Sequence, residues 1–508
     1  MLKNILSVGG YTLLSRLTGF VRDIALAALL GAAGTMDAFA VALRLPNHFR
    51  AIFGEGAFNQ AYVPAYTHVA EKLGPAAAKL FADRLFTVLL LVQIVLLALA
   101  IPLMPWFLLV LAPGFTSDPA IFDLAVALTR ITFPYLLFMT MTTFLGATLS
   151  AVERFAAFAA APILLNICVV AALAVAFLFP SAAHAAAWGV AVSGVAQWIL
   201  LYVAAKRAGV SSTIVRPRMD AGVRRFLVTF GPAVIGSAGQ QIAMFADTII
   251  GSMLPRGGNS ALYYAERLYQ LPLGLIAIAV GTVALSAMSR AIARGDEAAA
   301  NRAQNHAVAI ALVASAPFVA AFVAVPELVV AALFQRGAFD AQASAAAGAV
   351  LFAYSLGLPA MVMIRPQVSA FQSRGDTKTP MLVALASIAC NLALKLLLWR
   401  DWGASGLALA TAAGAWINLV ALFVLARRRG FTEPDRRLPA FAGIVCLAAA
   451  AAGALAWWAA PFALRLTATL PFEPILMGVL LLSAAVAVLY AVLVGGGLKA
   501  TGLLRLLR

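Results

Sequence analysis

Charged residues are scarce in this chain of 508 residues: only 11% are Asp, Glu, Lys or Arg, whereas 63% are hydrophobic. The mean hydropathy is +0.97, which excludes a soluble globular protein. Apolar runs of about 20 residues, the length that crosses a hydrocarbon core of about 30 Å, recur along the whole chain. The alternating pattern of a membrane β-barrel is absent, since 85–111 and 475–494 are continuously apolar. We therefore predict an all-α polytopic membrane protein.

Cysteine and histidine are also rare, with three and four residues respectively. Cys168, Cys390 and Cys446 lie inside apolar runs and match no metal-site spacing, so we expect small core residues and no metal. The sequence also lacks a P-loop, a Gly-rich dinucleotide turn and a Ser-His-Asp candidate in a polar setting. We expect neither an enzyme nor a cofactor, and no transport powered by ATP hydrolysis within this chain.

The charge that is present is mostly positive, and the formal net charge is +16. About 24 of the 36 Lys and Arg residues fall at the termini or in alternate loops. This asymmetry follows the positive-inside rule, so it predicts that both termini are cytoplasmic. It also argues against a nucleic-acid partner, because the charge follows membrane topology.

The apolar runs predict about fourteen membrane spans in three groups. The predicted spans begin near residues 5, 36, 80, 122, 155, 185, 223, 261, 303, 341, 378, 403, 439 and 473. Long basic connections at 206–225 and 427–437 divide them into six, six and two. We predict an N-terminal lobe at 1–210, a second lobe at 211–432 and an accessory pair of helices at 433–508.

The two groups of six resemble each other at one pair of positions. Leu45-Pro46 lies 15 residues after Gly31, and Leu271-Pro272 lies 15 residues after Gly257. Six spans per lobe give both lobes the same orientation, so the pattern predicts a parallel repeat around a central cavity. We expect Pro46, Pro272, Pro359 and Pro366 to break or bend their spans around hydrated space.

Arginines inside the apolar spans are the principal candidates for a binding site. Arg16, Arg22, Arg44 and Arg50 lie in the first two spans, and Arg267 lies in the eighth. A guanidinium at bilayer depth costs about 2.5 to 3.5 kcal/mol even on the mildest scales. Asp23, Asp37 and Glu55 are too few to neutralise the first four. The surplus predicts a cationic cavity for an anion such as phosphate; the alternative is that the charges only join helices.

Two further groups of polar residues lie in the predicted second lobe. Tyr263, Arg267 and Gln270 have helical spacing, which predicts one polar stripe and a second wall of the cavity. Asp247 is the lone acid of span seven, and Asn391 and Lys395 lie one turn apart in span eleven. A buried Asp and a buried Lys are most simply explained as partners. They would form either a link between helices or a coupling-ion or proton site.

Several motifs resemble the MurJ (MviN) lipid II flippases of the multidrug/oligosaccharidyl-lipid/polysaccharide exporter superfamily. The N-terminal block comprises 15–23 (SRLTGFVRD), 37–39 (DAF), 45–47 (LPN), Arg50 and 54–64 (GEGAFNQAYVP). Further matches are 112–115 (APGF), 132–135 (TFPY) and 263–268 (YYAERL). The resemblance covers essentially the whole chain.

The resemblance implies fourteen helices, alternating access of a cationic cavity, and a lipid-tail groove formed by spans thirteen and fourteen. It implies translocation of lipid II, the undecaprenyl-diphosphate-linked disaccharide-pentapeptide precursor of peptidoglycan, from the inner to the outer leaflet. Arg16, Arg22, Arg50 and Arg267 would contact the diphosphate, while Asp37 and Glu55 would organise them or gate the cavity. The expected location is the bacterial inner membrane, and the expected partners of this monomer are lipid II, membrane lipids and cell-wall synthesis proteins.

Two departures from the family pattern bear on the energy source. Gln270 stands where some members have an acid, and Lys395 stands where sodium-binding members have one. We predict that the Lys395 ammonium replaces sodium by pairing with Asp247. Membrane potential, protons and another ion all remain open as the energy source.

Three functions are alternatives to lipid II translocation. A flippase for another polyprenyl-diphosphate-linked oligosaccharide is disfavoured only by the N-terminal block. A cation-coupled drug exporter of the same superfamily should have acids and aromatics in its cavity. A scaffold of the cell-wall machinery would have no use for cavity arginines.

Overall fold

A computed structural model of the chain describes residues 2–54, 57–467 and 473–507, and its side-chain detail excludes 2–8, 48–57, 60, 221 and 233–240. The described residues are α-helical apart from short 3₁₀ turns and loops, and they contain no strand. The predicted all-α fold is therefore confirmed. By compactness the chain divides into two units, Met1–Gly257 and Gly258–Arg508.

The first unit contains ten α-helices within its described residues. They are α1 (Leu2–Leu30), α2 (Gly34–Gly54), α3 (Ala57–Leu73), α4 (Pro75–Ala100), α5 (Met104–Leu111), α6 (Pro119–Thr132), α7 (Tyr135–Ala151), α8 (Ala156–Ala174), α9 (Ala182–Arg207) and α10 (Ala221–Ser252). Helix α10 belongs to this unit because it packs on α2 and α3. The predicted second lobe, 211–432, begins with this same helix. The division by compactness and the predicted lobes therefore differ over α10, and the lobe boundaries stay a prediction.

The second unit contains eight α-helices within its described residues. They are α11 (Gly258–Ala293), α12 (Glu297–Ala324), α13 (Pro326–Phe334), α14 (Ala341–Ser355), α15 (Leu358–Gln372), α16 (Lys378–Arg428), α17 (Leu438–Thr467) and α18 (Pro474–Ala500). Aspartates begin two of them, since Asp296 Oδ1 accepts from the N–H of Ala299 and Asp340 Oδ1 from that of Ala343. These side chains satisfy amide groups that the first helical turn leaves without a partner.

Among the described residues, ten helical segments are long and apolar enough to cross a membrane. One of them, α16, has 51 residues, and at 1.5 Å per residue it would extend about 76 Å, more than twice a bilayer core. Gly403 interrupts it with φ 53° and ψ −134°, at the predicted start of span twelve. The helix therefore contains two predicted spans, while the total of fourteen remains a prediction.

An aromatic cluster forms the core of the first unit. Tyr62 is fully buried on α3, and its ring centroid lies 5.0 Å from Phe144, 5.3 Å from Phe58 and 6.1 Å from Phe81. Phe226 of α10 packs edge-on against Phe58 at 5.6 Å. Such offset and edge-on pairs are favourable beyond the apolar area they bury. Phe58 and Tyr62, which belong to the motif 54–64 of the N-terminal block, therefore stabilise the fold.

The connection after α9 is fastened to α4 by polar side chains. Asp83 is buried, and its two carboxylate oxygens accept from the backbone N–H and the hydroxyl of Thr213 at 2.9 and 3.1 Å. Thr87 Oγ1 accepts from the N–H of Val215 at 3.1 Å, and Arg84 forms an ion pair with Asp220. The extended segment 210–220 is thus held along one helix.

The connection after α16 is fastened to α12 in the same way but by neutral side chains. Asn301 Oδ1 accepts from the N–H of Glu433 at 3.0 Å, and Asn305 Nδ2 donates to the Glu433 carbonyl at 2.9 Å. Thr432 hydrogen-bonds Gln304. Helices α4 and α12 are the third and ninth predicted spans, so each connection is fastened to the third span of its group. This correspondence, with positive φ at both Gly31 (66°) and Gly257 (83°), supports an internal repeat.

The expectations about proline and cysteine are only partly correct. Pro46, Pro272 and Pro366 do not break their helices, since membrane helices tolerate proline where neighbouring groups compensate. Bending at these three prolines stays a prediction. The tenth span does divide next to Pro359: α14 ends at Ser355 and α15 begins at Leu358, which puts Pro359 in the first turn of α15. Cys390 and Cys446 are exposed and only Cys168 is half-buried, so these thiols are not core residues.

Candidate functional site

Arg22 on α1 is the predicted site arginine with the most fully described surroundings. Its side chain is 12% exposed, and its Nε and Nη2 both donate to Asp23 Oδ1, at 3.0 and 2.7 Å. Its Nη1 donates to Asn166 Oδ1 of α8 at 2.9 Å. One carboxylate and one amide therefore hold the guanidinium. These contacts offset the free-energy cost of placing a charged group at bilayer depth.

Asn166 is the site residue that the sequence reading missed. It is 4% exposed and is the only amide side chain in α8. Its Nδ2 donates to the Ser15 carbonyl at 2.9 Å and to Thr18 Oγ1 at 3.0 Å. An amide alone in an apolar membrane helix is a signal that could have identified it, because such a group requires hydrogen-bond partners.

The remaining arginines of the first two spans differ in surroundings. Arg16 is partly exposed, and no hydrogen bond of its guanidinium is found within the described part of the chain. Arg44 is half-buried on α2. The side chain of Arg50 and the whole of Glu55 lie outside the described residues, so their predicted roles stay predictions.

Asp37 is buried at the start of α2 and binds a backbone group of the first unit. Its Oδ2 accepts from the N–H of Gly257 at 2.6 Å. A Cβ at Gly257 would lie 2.6 Å from the Ala32 carbonyl oxygen, so only glycine fits this approach. The carboxylate thus fastens the segment after α10 to the start of α2.

We expect Asp37→Ala to lower the midpoint of thermal unfolding of the purified protein in detergent. The substitution leaves the Gly257 N–H without this acceptor, a loss of about 1 to 3 kcal/mol for a group that was paired with a charge. Asp123→Ala is the matched control, because Asp123 is exposed on α6. Equal midpoints for the two variants would show that the Asp37 contact adds no stability.

In the second unit, Arg267 lies against an aromatic face. Its Cζ is 4.6 Å from the ring centroid of Tyr263, one turn earlier on α11, and Tyr263 is 2% exposed. A cation over a tyrosine ring is stabilised by the ring quadrupole. Gln270 is exposed, and its Nε2 donates to Glu266 Oε1 at 2.7 Å. Tyr263 and Arg267 of the predicted stripe are therefore in contact. Gln270 instead hydrogen-bonds Glu266, an acid that lies outside the predicted stripe.

The second polar group is distributed over α10 and α16. Asp247 is half-buried on α10, and Lys395 is buried on α16 at 5% exposure. Asn391 lies one turn before Lys395, and its buried Oδ1 has no hydrogen-bond partner among the described residues. Pairing of Asp247 with Lys395 stays a prediction. The described residues contain no cluster of His, Cys, Asp or Glu that could hold a metal ion.

An apolar groove of about 540 Å³ lies within the second unit. Helices α12 and α17 provide most of its lining, with Trp416 of α16 and Trp457 of α17 among the largest side chains. Helix α18 is not among its walls; it packs on α17 through Val486 and Tyr490, whose hydroxyl donates to the Val313 carbonyl at 2.8 Å. The groove therefore uses span thirteen but not span fourteen.

Comparisons with known proteins give a consistent assignment. The family model described as "Lipid II flippase MurJ" matches residues 26–477. The "Probable lipid II flippase MurJ" of Rhizobium meliloti (strain 1021) is 38% identical over 516 aligned residues, which cover 99% of this chain and 96% of the relative. The "Lipid II flippase MurJ" of Burkholderia cenocepacia is 32% identical and covers 99% of this chain and 98% of its own length.

Solved structures show the same fold at lower identity. A lipid II flippase MurJ in an inward closed conformation matches with a TM-score of 0.75 and 22% identity, over 96% of this chain and 98% of that one. An inward-facing MATE multidrug resistance transporter of the MOP superfamily matches with a TM-score of 0.67 and 14% identity, over 82% and 94%. The sequence matches extend over nearly the full length at more than 30% identity, so the chain belongs to the lipid II flippase MurJ family.

Proposed function

We propose that this chain translocates lipid II, the undecaprenyl-diphosphate-linked disaccharide-pentapeptide, from the inner to the outer leaflet of the bacterial inner membrane. Its membership of the MurJ family supports the substrate. The observation that carries the chemistry is the Arg22 guanidinium, which is largely buried in the first helix and held in one direction. Guanidinium groups match the oxygen geometry of phosphate and stay charged at any depth.

We infer that Arg16, Arg22, Arg44 and Arg50 in the first unit and Arg267 in the second bind anionic groups of the substrate. Arg267 is supported by its contact with Tyr263, which orients the cation without neutralising it. Asp37 and Glu55 would organise these arginines or gate the cavity, and Tyr263 and Gln270 would line its wall beside Arg267. Binding of the diphosphate to these arginines would link substrate occupancy to alternating access.

The apolar groove between α12 and α17 supports the lipid part of the proposal. We infer that it receives part of the undecaprenyl chain, because a groove walled almost entirely by apolar side chains favours hydrocarbon over water. The two predicted six-helix lobes would then handle the headgroup, and the accessory segment at 433–508 would guide the tail.

Topology, cofactor and partner assignments belong to the same proposal. The basic alternate loops support cytoplasmic termini. We infer a monomeric transporter without enzymatic activity or cofactor, which works with lipid II, membrane lipids and cell-wall synthesis proteins. Resetting an arginine-rich cavity after release of its anion could draw on the membrane potential, worth about 2.3 kcal/mol per charge per 100 mV. The Lys395 ammonium would take the place of a sodium ion beside Asp247.

A drug exporter of the MOP superfamily is the second candidate, and the MATE fold match favours it at the level of architecture only. The arginine-rich first helices disfavour it, because a pocket for cationic drugs requires acids.

Complementation tests the proposed function. A bacterium depleted of its own lipid II flippase should regain growth and lipid II exposure at the outer leaflet when it expresses this chain. Growth that returns without lipid II exposure would argue against the proposal. Failure to restore either growth or exposure would also argue against it.

A further inference from the structure

The hydrogen bonds around Asn166 have a defined direction. Thr18 Oγ1 donates to the Leu14 carbonyl at 2.9 Å, so its oxygen accepts from Asn166 Nδ2. The Ser15 carbonyl can only accept, and it takes the second N–H of the same amide nitrogen. Both donors of Asn166 are thereby used on α1, which leaves Oδ1 directed at Arg22. The orientation of the amide is fixed by α1 itself.

Arg22 is held along two sides of its planar group. A guanidinium has five N–H groups, and the bonds to Asp23 and Asn166 use one each on Nε, Nη1 and Nη2. Because the guanidinium is planar, these three bonds fix the directions of its N–H groups. Gly19 of α1 faces the same amide: a Cβ there would lie 3.4 Å from Asn166 Nδ2, an ordinary contact distance.

Asp23 and Asn166 differ in what they can control. Asp23 is the next residue on α1, so its bonds to Arg22 lie within one helix. Asn166 lies 144 residues away on α8 and ties the guanidinium to a second helix. An amide makes this link without adding negative charge. A second carboxylate in its place would weaken the attraction of the site for an anion.

We propose that Asn166 is a positioning residue for diphosphate recognition: it fixes the direction in which Arg22 presents its N–H groups while leaving the site cationic. The inference rests on the proposed function and names a residue through which that function is tuned. Binding energy depends on such preorganisation, because a free arginine side chain loses rotamer entropy when it binds.

The test measures binding of two lipids to the full-length protein in nanodiscs. Undecaprenyl diphosphate carries the anionic group, and undecaprenol has the same chain without phosphates. Asn166→Ala should lower the ratio of the two affinities about tenfold, the size of one hydrogen bond involving a charged group. Thr18→Val, which removes one acceptor of the Asn166 amide, should lower the ratio by less. Ile167→Ala, at an exposed position next along α8, is the matched control and should leave it unchanged.

A double-mutant cycle separates positioning from a structural role. In an Arg22→Ala background, Asn166→Ala should not change the ratio further, because Asn166 acts on the diphosphate through Arg22. Equal loss of affinity for both lipids, or a further tenfold loss in that background, would overturn the inference. If Asn166→Ala does not fold, an unchanged ratio in Thr18→Val overturns it. A wild-type protein that does not prefer the diphosphate would overturn the proposed function as well, which distinguishes the two failures.

Discussion

Replacing Arg22 or Arg267 by alanine should abolish complementation of a flippase-depleted bacterium. Each substitution removes a guanidinium that we assign to the diphosphate, and two lost charge-assisted hydrogen bonds of about 1.5 kcal/mol each correspond to roughly a 100-fold loss of binding. The measurement is exposure of lipid II at the outer leaflet, at matched protein levels.

Arg130→Ala is the matched control for these variants. Arg130 is also an arginine in a membrane helix, but it is exposed at the end of α6, where its Nε donates to the Ile101 carbonyl at 3.2 Å. We expect this variant to support growth. Full activity of both Arg22→Ala and Arg267→Ala would refute the arginine mechanism.

Replacing Gly114 by alanine should severely destabilise the first unit. A Cβ at Gly114 would lie 2.2 Å from the Ser252 carbonyl oxygen and 2.5 Å from Met253 Cα, and backbone atoms cannot rotate away as a side chain would. The Gly114 N–H also donates to Ser252 Oγ at 3.2 Å. Overpacking costs about 1 to 3 kcal/mol even where side chains can adjust. We expect a lower unfolding midpoint and a reduced yield of folded protein.

Gly231→Ala provides the comparison on the helix that Gly114 approaches. Gly231 lies inside α10 with nothing within 4 Å of an added Cβ, so alanine should be neutral or gain up to about 1 kcal/mol of helix propensity. If Gly114→Ala unfolds at the same temperature as Gly231→Ala, the close packing described for the end of α10 is incorrect.

Features that depend on local sequence could be predicted. The apolar run of span eleven ends near Arg400, so the sequence predicts that span twelve begins near residue 403, where Gly403 interrupts α16. The contact of Tyr263 with Arg267 followed from their spacing of one helical turn. Family membership followed from motifs that occupy consecutive positions.

Contacts between distant helices could not be predicted. Asn166 meets Arg22 across 144 residues, and Asp37 meets Gly257 across 220. Their partners depend on how α1 packs on α8 and how the segment after α10 returns to α2, and helical periodicity does not specify either. The break expected at Pro46 is absent, and α2 continues through this residue. The sequence shows that proline lacks an N–H, but it does not show the neighbouring groups that let the helix continue.

Lipid II movement in liposomes tests the central claim most directly. Purified chain should accelerate the transfer of labelled lipid II between the leaflets of a sealed vesicle well above the rate in protein-free vesicles, and Arg22→Ala should return the rate to that background. Wild-type protein that leaves the rate at background, or an Arg22→Ala variant as fast as wild type, would contradict the account.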